Sequence, residues 1–166
     1  MSESDAQLAE AWIRAARSAP VVAELLAVFS DVAVQVEARG PACWASGRCC
    51  NFEQAGHRLY VTGLEAAFTV IEHAKSRSRL SLPQIAEAKV RGGCPFQESN
   101  LCGVHGIKPL GCRVYFCDRS AQEWQQSLSE HGLGQLRELH ERHGIEYRYG
   151  EWREMLDIVV RAMGPT

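Results

Sequence analysis

The sequence lacks the features that mark several large classes of protein. Its longest apolar run, "VVAELLAVF", is interrupted by Glu24 and is too short to cross a bilayer. The first 20 residues have no charged start, apolar middle and cleavage site, so no signal peptide is predicted. A net charge of −2 gives no electrostatic reason to expect nucleic acid or an anionic membrane as a partner. We therefore expect a soluble, cytoplasmic protein without nucleic-acid or membrane partners.

Motifs of common enzymes are missing as well. The chain has no Gly-rich phosphate loop, no dinucleotide-binding fingerprint and no serine-hydrolase elbow. A cysteine nucleophile paired with one of the six histidines would use one thiol and leave six without a role. The sequence thus offers no motif from which an enzymatic activity follows, and the partner is an unknown protein or small molecule.

Cysteine, by contrast, is abundant and clustered. All seven cysteines lie between positions 43 and 117, and none lies in the segments before or after. Thiols stay reduced in the cytoplasm, and an odd number cannot form a complete set of disulfides. Cysteines that served only as small buried residues would be scattered among core positions, so the clustering favours a metal site.

Helical periodicity is strong at both ends of the chain. Leu8 and Trp12 recur at helical spacing, and a second apolar stripe runs from Val22 to Val36 and ends at Gly40. Near the C-terminus, "YGEWREMLDIVVRAMGP" also places its apolar residues on one stripe. These segments predict long helices on either side of the cysteines.

Shorter helices are predicted from capping-box spacing, in which a Ser or Thr is followed three residues later by Glu or Gln. This spacing occurs at Thr62 and Glu65, at Ser81 and Gln84, and at Ser120 and Glu123. Glycines predict where helices end: Gly92-Gly93, Gly132 and Gly144. The stretch "HRLYVT" before the first box is a candidate short strand.

The segment "GGCPFQESNLCGVHGIKPLGCRVYFCD" has no helical periodicity and is rich in Gly, Pro and Cys. As an unsupported loop it would be too long for a compact domain, whereas a bound metal would order it. With 46% apolar and 23% charged residues, the chain has a globular composition. We predict one mainly α domain over 1–166, with at most a short β element and an irregular metal-binding core at about 43–117.

The spacing of the cysteines bears on the kind of metal. The second group reads C-x7-C-x9-C-x4-C and the first reads C-x5-C-C, without any C-x2-C pair. Structural zinc commonly uses tight cysteine pairs, whereas a four-iron cluster is larger and can take thiolates from separated loops. The spacing therefore favours a [4Fe–4S] cluster over zinc, which stays the alternative.

A cluster held by four thiolates keeps a negative charge, so cations and N–H donors should surround it. Candidate donors are the guanidinium of Arg113 and the backbone N–H groups of Gly92, Gly93 and Gly111. The alternative interpretation is that Arg113 is a surface residue and that the glycines serve only turns. Trp44, next to Cys43, is a candidate shield against solvent.

The two cysteine segments resemble the CxxCxxCC or YkgJ-like family, which is described as a putative zinc- or iron-chelating domain. The family's C-x2-C-x2-C-C run corresponds here to "CWASGRCC", with Ser46 in place of the second cysteine. Its downstream stretch corresponds to "CPFQESNLCGVHGIKPLGCRVYFC", with His105 in a usually aromatic position and Lys108-Pro109 as the basic–Pro pair. The resemblance covers residues 43–117 and implies metal binding by the cysteines.

The expected ligands join both segments. The first four candidates are Cys49, Cys94, Cys102 and Cys112, followed by Cys50, Cys43 and Cys117. Adjacent cysteine side chains diverge, so Cys49 and Cys50 are expected to differ in role. A serine hydroxyl gives up its proton reluctantly, so Ser46 is not expected to bind metal.

Four further residues are weaker candidates. His140 and His143 lie three apart on a predicted helix, but histidines near a helix C-terminus are favourable for the helix dipole without any metal. His105 lies inside the cysteine segment, where packing or hydrogen bonding is the alternative role. For Glu65, capping explains the residue without a metal.

Three functions are compatible with these residues. The first is an iron–sulfur protein, and the resemblance to the family's flagellin lysine N-methylase branch implies a redox or methyl-transfer role. The second is a structural zinc module that acts in protein interaction. The third is a carrier that passes iron or zinc onward.

Overall fold

A computed structural model describes residues 1–43 and 46–164, and Trp44 lies outside them. The described chain is mainly helical, which confirms the predicted fold class. Its α-helices are α1 (Glu3–Ala15), α2 (Ala19–Arg39), α3 (Phe52–Ala55), α4 (Gly63–Ser76), α5 (Leu82–Arg91), α6 (Leu110–Val114), α7 (Gln122–Arg142) and α8 (Trp152–Ala162). Two 3-10 turns, Arg48–Cys50 and Arg119–Ala121, complete the helical elements of the described residues.

The β structure consists of two short antiparallel pairs. Strand β1 (Tyr60–Thr62) pairs with β4 (Tyr149–Glu151), with Tyr60 opposite Glu151. Strand β2 (Gln97–Glu98) pairs with β3 (Leu101–Cys102) in a hairpin. The first pair confirms the strand predicted at "HRLYVT", and it joins segments almost 90 residues apart in the chain.

Several helix boundaries follow the local sequence signals. Thr62 and Glu65 form the reciprocal capping box that starts α4, and Ser81 and Gln84 form the one that starts α5. Gly40 ends α2 with a φ of +58°, in the left-handed region that glycine adopts without strain. Gly92 ends α5 in the same way.

Two predicted boundaries are wrong, and both concern α7. The helix continues through Gly132, which lies so close to Leu110 that an added Cβ would come within 2.7 Å of its Cδ1. This glycine therefore serves close packing between α7 and α6. Ser120 does not cap α7 either, because the preceding 3-10 turn is capped by the carboxylate of Asp118.

The central segment also contains more regular structure than its composition predicts. Helix α6 begins directly after Pro109, within the stretch expected to be irregular. It is only five residues long, so its apolar positions make too short a pattern for periodicity to detect. The helix carries Cys112 and packs against α2, α7 and β1.

The core joins both ends of the chain. Trp12 of α1 and Trp152 of α8 are almost fully buried, and the apolar stripe of α8 packs against α1, α4 and α5. The indole of Trp12 donates a hydrogen bond to the carbonyl of Glu146 (3.0 Å). Gly63 lets α4 approach Trp12, since an added Cβ would overlap its ring. The terminal helices thus form the support on which the cysteine segments lie.

Helix α2 is longer than its apolar run suggested. By length and composition alone its 21 residues could cross a membrane, although core helices of soluble proteins meet the same criterion. Two of its three acidic residues contact α7 or the residue after it: Glu24 contacts Arg142 and His143, and Asp31 accepts a hydrogen bond from Gln135. These polar contacts and the packing of α2 on α7 are consistent with a soluble protein.

Candidate metal centre

Three chain segments bring cysteines together beneath α8. The first 3-10 turn carries Cys49 and Cys50, the residue after α5 and its glycines is Cys94, and β3 ends at Cys102. The backbone N–H of Cys94 donates to the carbonyl of Cys50 (2.8 Å), which fixes the first segment against the second. The side chain of Gln97 donates to the carbonyl of Gly47 (3.2 Å) and ties in the hairpin.

The thiol of Cys50 contacts those of Cys49, Cys94 and Cys102, and we refer to these four residues as the thiol cluster. Cys50 lies at its centre: contact with Cys102, Cys49 and Cys94 raises the pKa of the Cys50 thiol. The same contact with Cys50 lowers the pKa of Cys49 and of Cys102 to about 6, and it lowers the pKa of Cys94. Of the four thiols, Cys50 is therefore the last to lose its proton.

The adjacent thiols of Cys49 and Cys50 contact each other, contrary to the expectation that neighbouring side chains diverge. Cys112, one of the four cysteines first expected as ligands, has no thiol hydrogen bond to the cluster, although it is close enough to feel its charge. Burial raises the pKa of the Cys112 thiol well above its usual range. All seven cysteines lie in the described residues, and each is a free thiol.

The thiol cluster fits a metal by its chemistry more than by its present orientation. Soft thiolates are the preferred ligands of zinc, copper(I) and iron–sulfur clusters, and four of them complete a tetrahedral set. As the side chains stand, however, no three His, Cys, Asp or Glu groups among residues 1–43 and 46–164 are arranged to hold a metal ion. Binding would therefore require the thiols to turn from one another toward a common centre.

Donor groups that sequence reasoning missed surround Cys94. The indole N–H of Trp152 donates to its sulfur (3.4 Å), and the guanidinium of Arg91 donates to its carbonyl (2.8 Å). The indole donor stabilises the negative charge of a thiolate and orients it, whereas the bond from Arg91 holds the backbone of Cys94. Trp152 was predicted only as a core residue, because 58 positions separate it from Cys94 and no spacing rule connects them.

A buried carboxyl group positions the helix that carries Cys112. Glu65 accepts hydrogen bonds from the backbone N–H of Thr62 (2.8 Å) through one oxygen and from that of Leu110 (2.8 Å) through the other. Its capping role is thus confirmed, and a second role, the attachment of α6 to α4, is added. Burial raises the pKa of Glu65.

Three of the four groups expected to stabilise a cluster have other partners in the fold. The backbone N–H of Gly93 donates to the carbonyl of Ala88 (2.9 Å), and that of Gly92 donates to Lys89, so both complete the end of α5. The guanidinium of Arg113 lies 4.2 Å from the ring centre of Phe29 and donates to the carbonyl of Gly106. Burial lowers the pKa of Arg113.

The histidines proposed as weaker ligands also have other contacts. His140 is buried against the carbonyl of Ile145 (3.2 Å), and His143 contacts Glu24 on α2 (2.9 Å). His105 lies 3.3 Å from the ammonium group of Lys108, whose charge lowers the pKa of the imidazole. The contacts of His140 and His143 support the structural interpretation of these two residues.

A cavity of about 450 Å³ opens beside the thiol cluster. Six cysteines line it, every one except Cys94. Its other walls come from the first β pair, the segment after α6 and the first turns of α7, and they include the side chains of Tyr60, Tyr115, Phe116 and Tyr149. Solvent and small molecules can thus reach the thiols from one side.

Comparisons of the chain with protein-family models, with curated proteins and with solved structures find no match. The resemblance to the YkgJ-like family accordingly stays a prediction that depends on the two cysteine segments.

Proposed function

We propose that this protein is a cytoplasmic metal-binding protein whose ligands are the four thiols of the thiol cluster. The observation that carries the proposal is the contact of Cys50 with three other thiols, one on its own 3-10 turn and two from other segments of the chain. Two of these thiols have a pKa of about 6, so they would bind a cation at neutral pH with little competition from protons.

A single tetrahedral ion of the zinc type is the first candidate. With zinc–sulfur bonds of about 2.3 Å, neighbouring sulfurs of a tetrahedral site lie about 3.8 Å apart, which is the range of thiols in hydrogen-bonding contact. The iron atoms of a cluster would separate the same sulfurs further. The indole N–H of Trp152 would offset part of the negative charge of four thiolates.

A [4Fe–4S] cluster is the second candidate, and a specific observation favours it. Cys112 is close to the thiol cluster, and the cavity beside it provides room into which a larger centre could extend. In that case Cys112 would replace one thiol of the thiol cluster as a ligand. A redox role would follow from a cluster, whereas a structural or carrier role follows from zinc.

The metal is identified by purification without oxygen, followed by metal analysis, an acid-labile sulfide assay and a visible spectrum. A colourless protein with about one zinc per chain supports the single-ion site. A brown protein with iron and sulfide supports the cluster instead.

The ligand set is tested with Cys50→Ser and Cys94→Ser, with Cys43→Ser as the matched control, because Cys43 lies outside the thiol cluster. The first two variants are expected to lose the bound metal and to unfold at lower temperature, since the central segment depends on it. The control is expected to keep its metal. Full metal content in Cys50→Ser would contradict the proposal.

A further inference from the structure

The cavity beside the thiol cluster concentrates exposed apolar surface. Seven large hydrophobic side chains are exposed in the described part of the chain, and three of them, Tyr60, Leu101 and Tyr149, line this cavity. Tyr60 and Tyr149 are each 43% exposed. Apolar surface gathered at the mouth of a concave site is typical of ligand-binding clefts, and a volume of about 450 Å³ suits a small molecule.

The aromatic walls are already ordered as flat surfaces. The rings of Tyr60 and Tyr149 stack with centres 5.9 Å apart and planes inclined by 29°. On another wall, the ring of Tyr115 stacks on His57 with centres 4.3 Å apart. Stacked rings have lost much of their rotational freedom before a ligand arrives, so binding a planar apolar body costs little further ordering.

Apart from the thiols, the charged side chains that line the cavity are positive. No Asp or Glu side chain of the described residues lines the cavity, whereas Lys108 and Arg58 do. Neither cation forms an ion pair with a carboxylate among residues 1–43 and 46–164; the side-chain contact of Lys108 is with His105. Lys108 also lowers the pKa of Cys49 and Cys102, so an anionic group held by Lys108 would lie beside these two thiols. The two cations without carboxylate partners favour such a group on whatever enters.

We propose that this cavity binds a small molecule with a planar apolar body and an anionic group, with the aromatic walls holding the body and Lys108 holding the anion. The proposal names the ligand class for the site of the proposed function. What the protein does with the ligand depends on the proposed function, but binding of the ligand can be measured whether or not metal is present.

The test is a calorimetric titration of the full chain, as purified, with two probes that share a ring system and differ in charge: naphthylacetate and naphthylethylammonium. Naphthylacetate is expected to bind with a Kd below about 1 mM, and the cation at least about tenfold more weakly. Lys108→Met is expected to weaken naphthylacetate about tenfold, and Tyr149→Ala by a similar factor. Lys89→Met, which removes the same charge from an exposed position on α5, is the matched control and should change the Kd less than about twofold.

Absence of naphthylacetate binding at millimolar concentrations, or equal binding of both probes, overturns the proposal. An unchanged Kd in Lys108→Met overturns the role given to that residue. Metal content is measured on the same samples, so the two proposals can fail separately. If the protein contains metal but does not bind the probe, only the proposed ligand class is wrong. If it binds the probe but never takes up metal, only the proposed metal centre is wrong.

Discussion

Replacement of Glu65 by glutamine isolates one attachment of α6 to the rest of the protein. The two carboxyl oxygens of Glu65 accept from two different backbone N–H groups, those of Thr62 and Leu110, at 2.8 Å each. Glutamine has nearly the same shape but only one oxygen, and its amide nitrogen is a donor. In Glu65→Gln one of the two buried N–H groups therefore loses its acceptor, whichever way the amide turns.

The cost follows from that single orphaned donor. A buried donor left without a partner destabilises a protein by about 1–3 kcal/mol, so we expect Glu65→Gln to lower the free energy of unfolding by about 2 kcal/mol. For a chain of this size the melting temperature should fall by roughly 4–8 °C. Burial raises the pKa of Glu65, so the folded state holds its proton more tightly than the unfolded state, and the two proteins are therefore compared at one and the same pH.

Urea unfolding of both proteins at the same pH, followed by circular dichroism, measures this difference. Glu72→Gln is the matched control, because it makes the same change on the same helix at a residue whose ion pair with Lys75 is largely solvent-exposed. Its cost should stay below about 0.5 kcal/mol. If Glu65→Gln is no less stable than Glu72→Gln, the two hydrogen bonds do not contribute as described.

Three further predictions concern other parts of the molecule. In metal-free protein at about pH 7, iodoacetamide should modify Cys49, whose pKa is about 6, well before the partly buried Cys112, whose pKa is raised. Mass spectrometry of peptides gives the order, and equal rates would contradict it. Burial lowers the pKa of His140, so the folded state binds fewer protons at this residue than the unfolded state does. The free energy of unfolding should therefore fall as pH drops below about 6.5. In urea titrations, His140→Gln should make the free energy of unfolding depend less on pH in this range. Gly134→Ala should stabilise α7 by about 0.5–1 kcal/mol, since its added methyl group meets open space. Gly132→Ala should stabilise the helix less, or destabilise it, because its methyl group would meet Leu110. Equal gains in melting temperature would contradict the close packing at Gly132.

The features predicted well from the sequence are those decided within a few residues. The capping box of Thr62 and Glu65 and the left-handed glycine at Gly40 each depend on neighbours in the same turn, and both are confirmed. The mainly α class follows from apolar stripes that repeat over whole helices. The mistaken end of a helix at Gly132 has the opposite cause, because a contact with Leu110, 22 positions earlier in the chain, decides what that glycine does.

In the candidate site, too, local features could be predicted from the sequence and long-range contacts could not. Clustering in the sequence indicated which cysteines to consider, but spacing could not show that Cys50 rather than Cys112 contacts the other three thiols. That choice depends on the hydrogen bond between the backbones of Cys50 and Cys94, which only the folded chain forms. The indole of Trp152 is likewise brought to the sulfur by the packing of α8 on α5.

The contact between Trp152 and Cys94 has a consequence for the order of events during synthesis. A ribosome releases the chain from its N-terminus, so every cysteine leaves the exit tunnel before the last helix does. Until that helix arrives, the sulfur of Cys94 has no indole above it and β1 has no partner strand. The nascent polypeptide therefore carries its reduced sulfurs before that indole is present, and the cavity that six of them line is completed only after β4, which contributes Tyr149, has been synthesised.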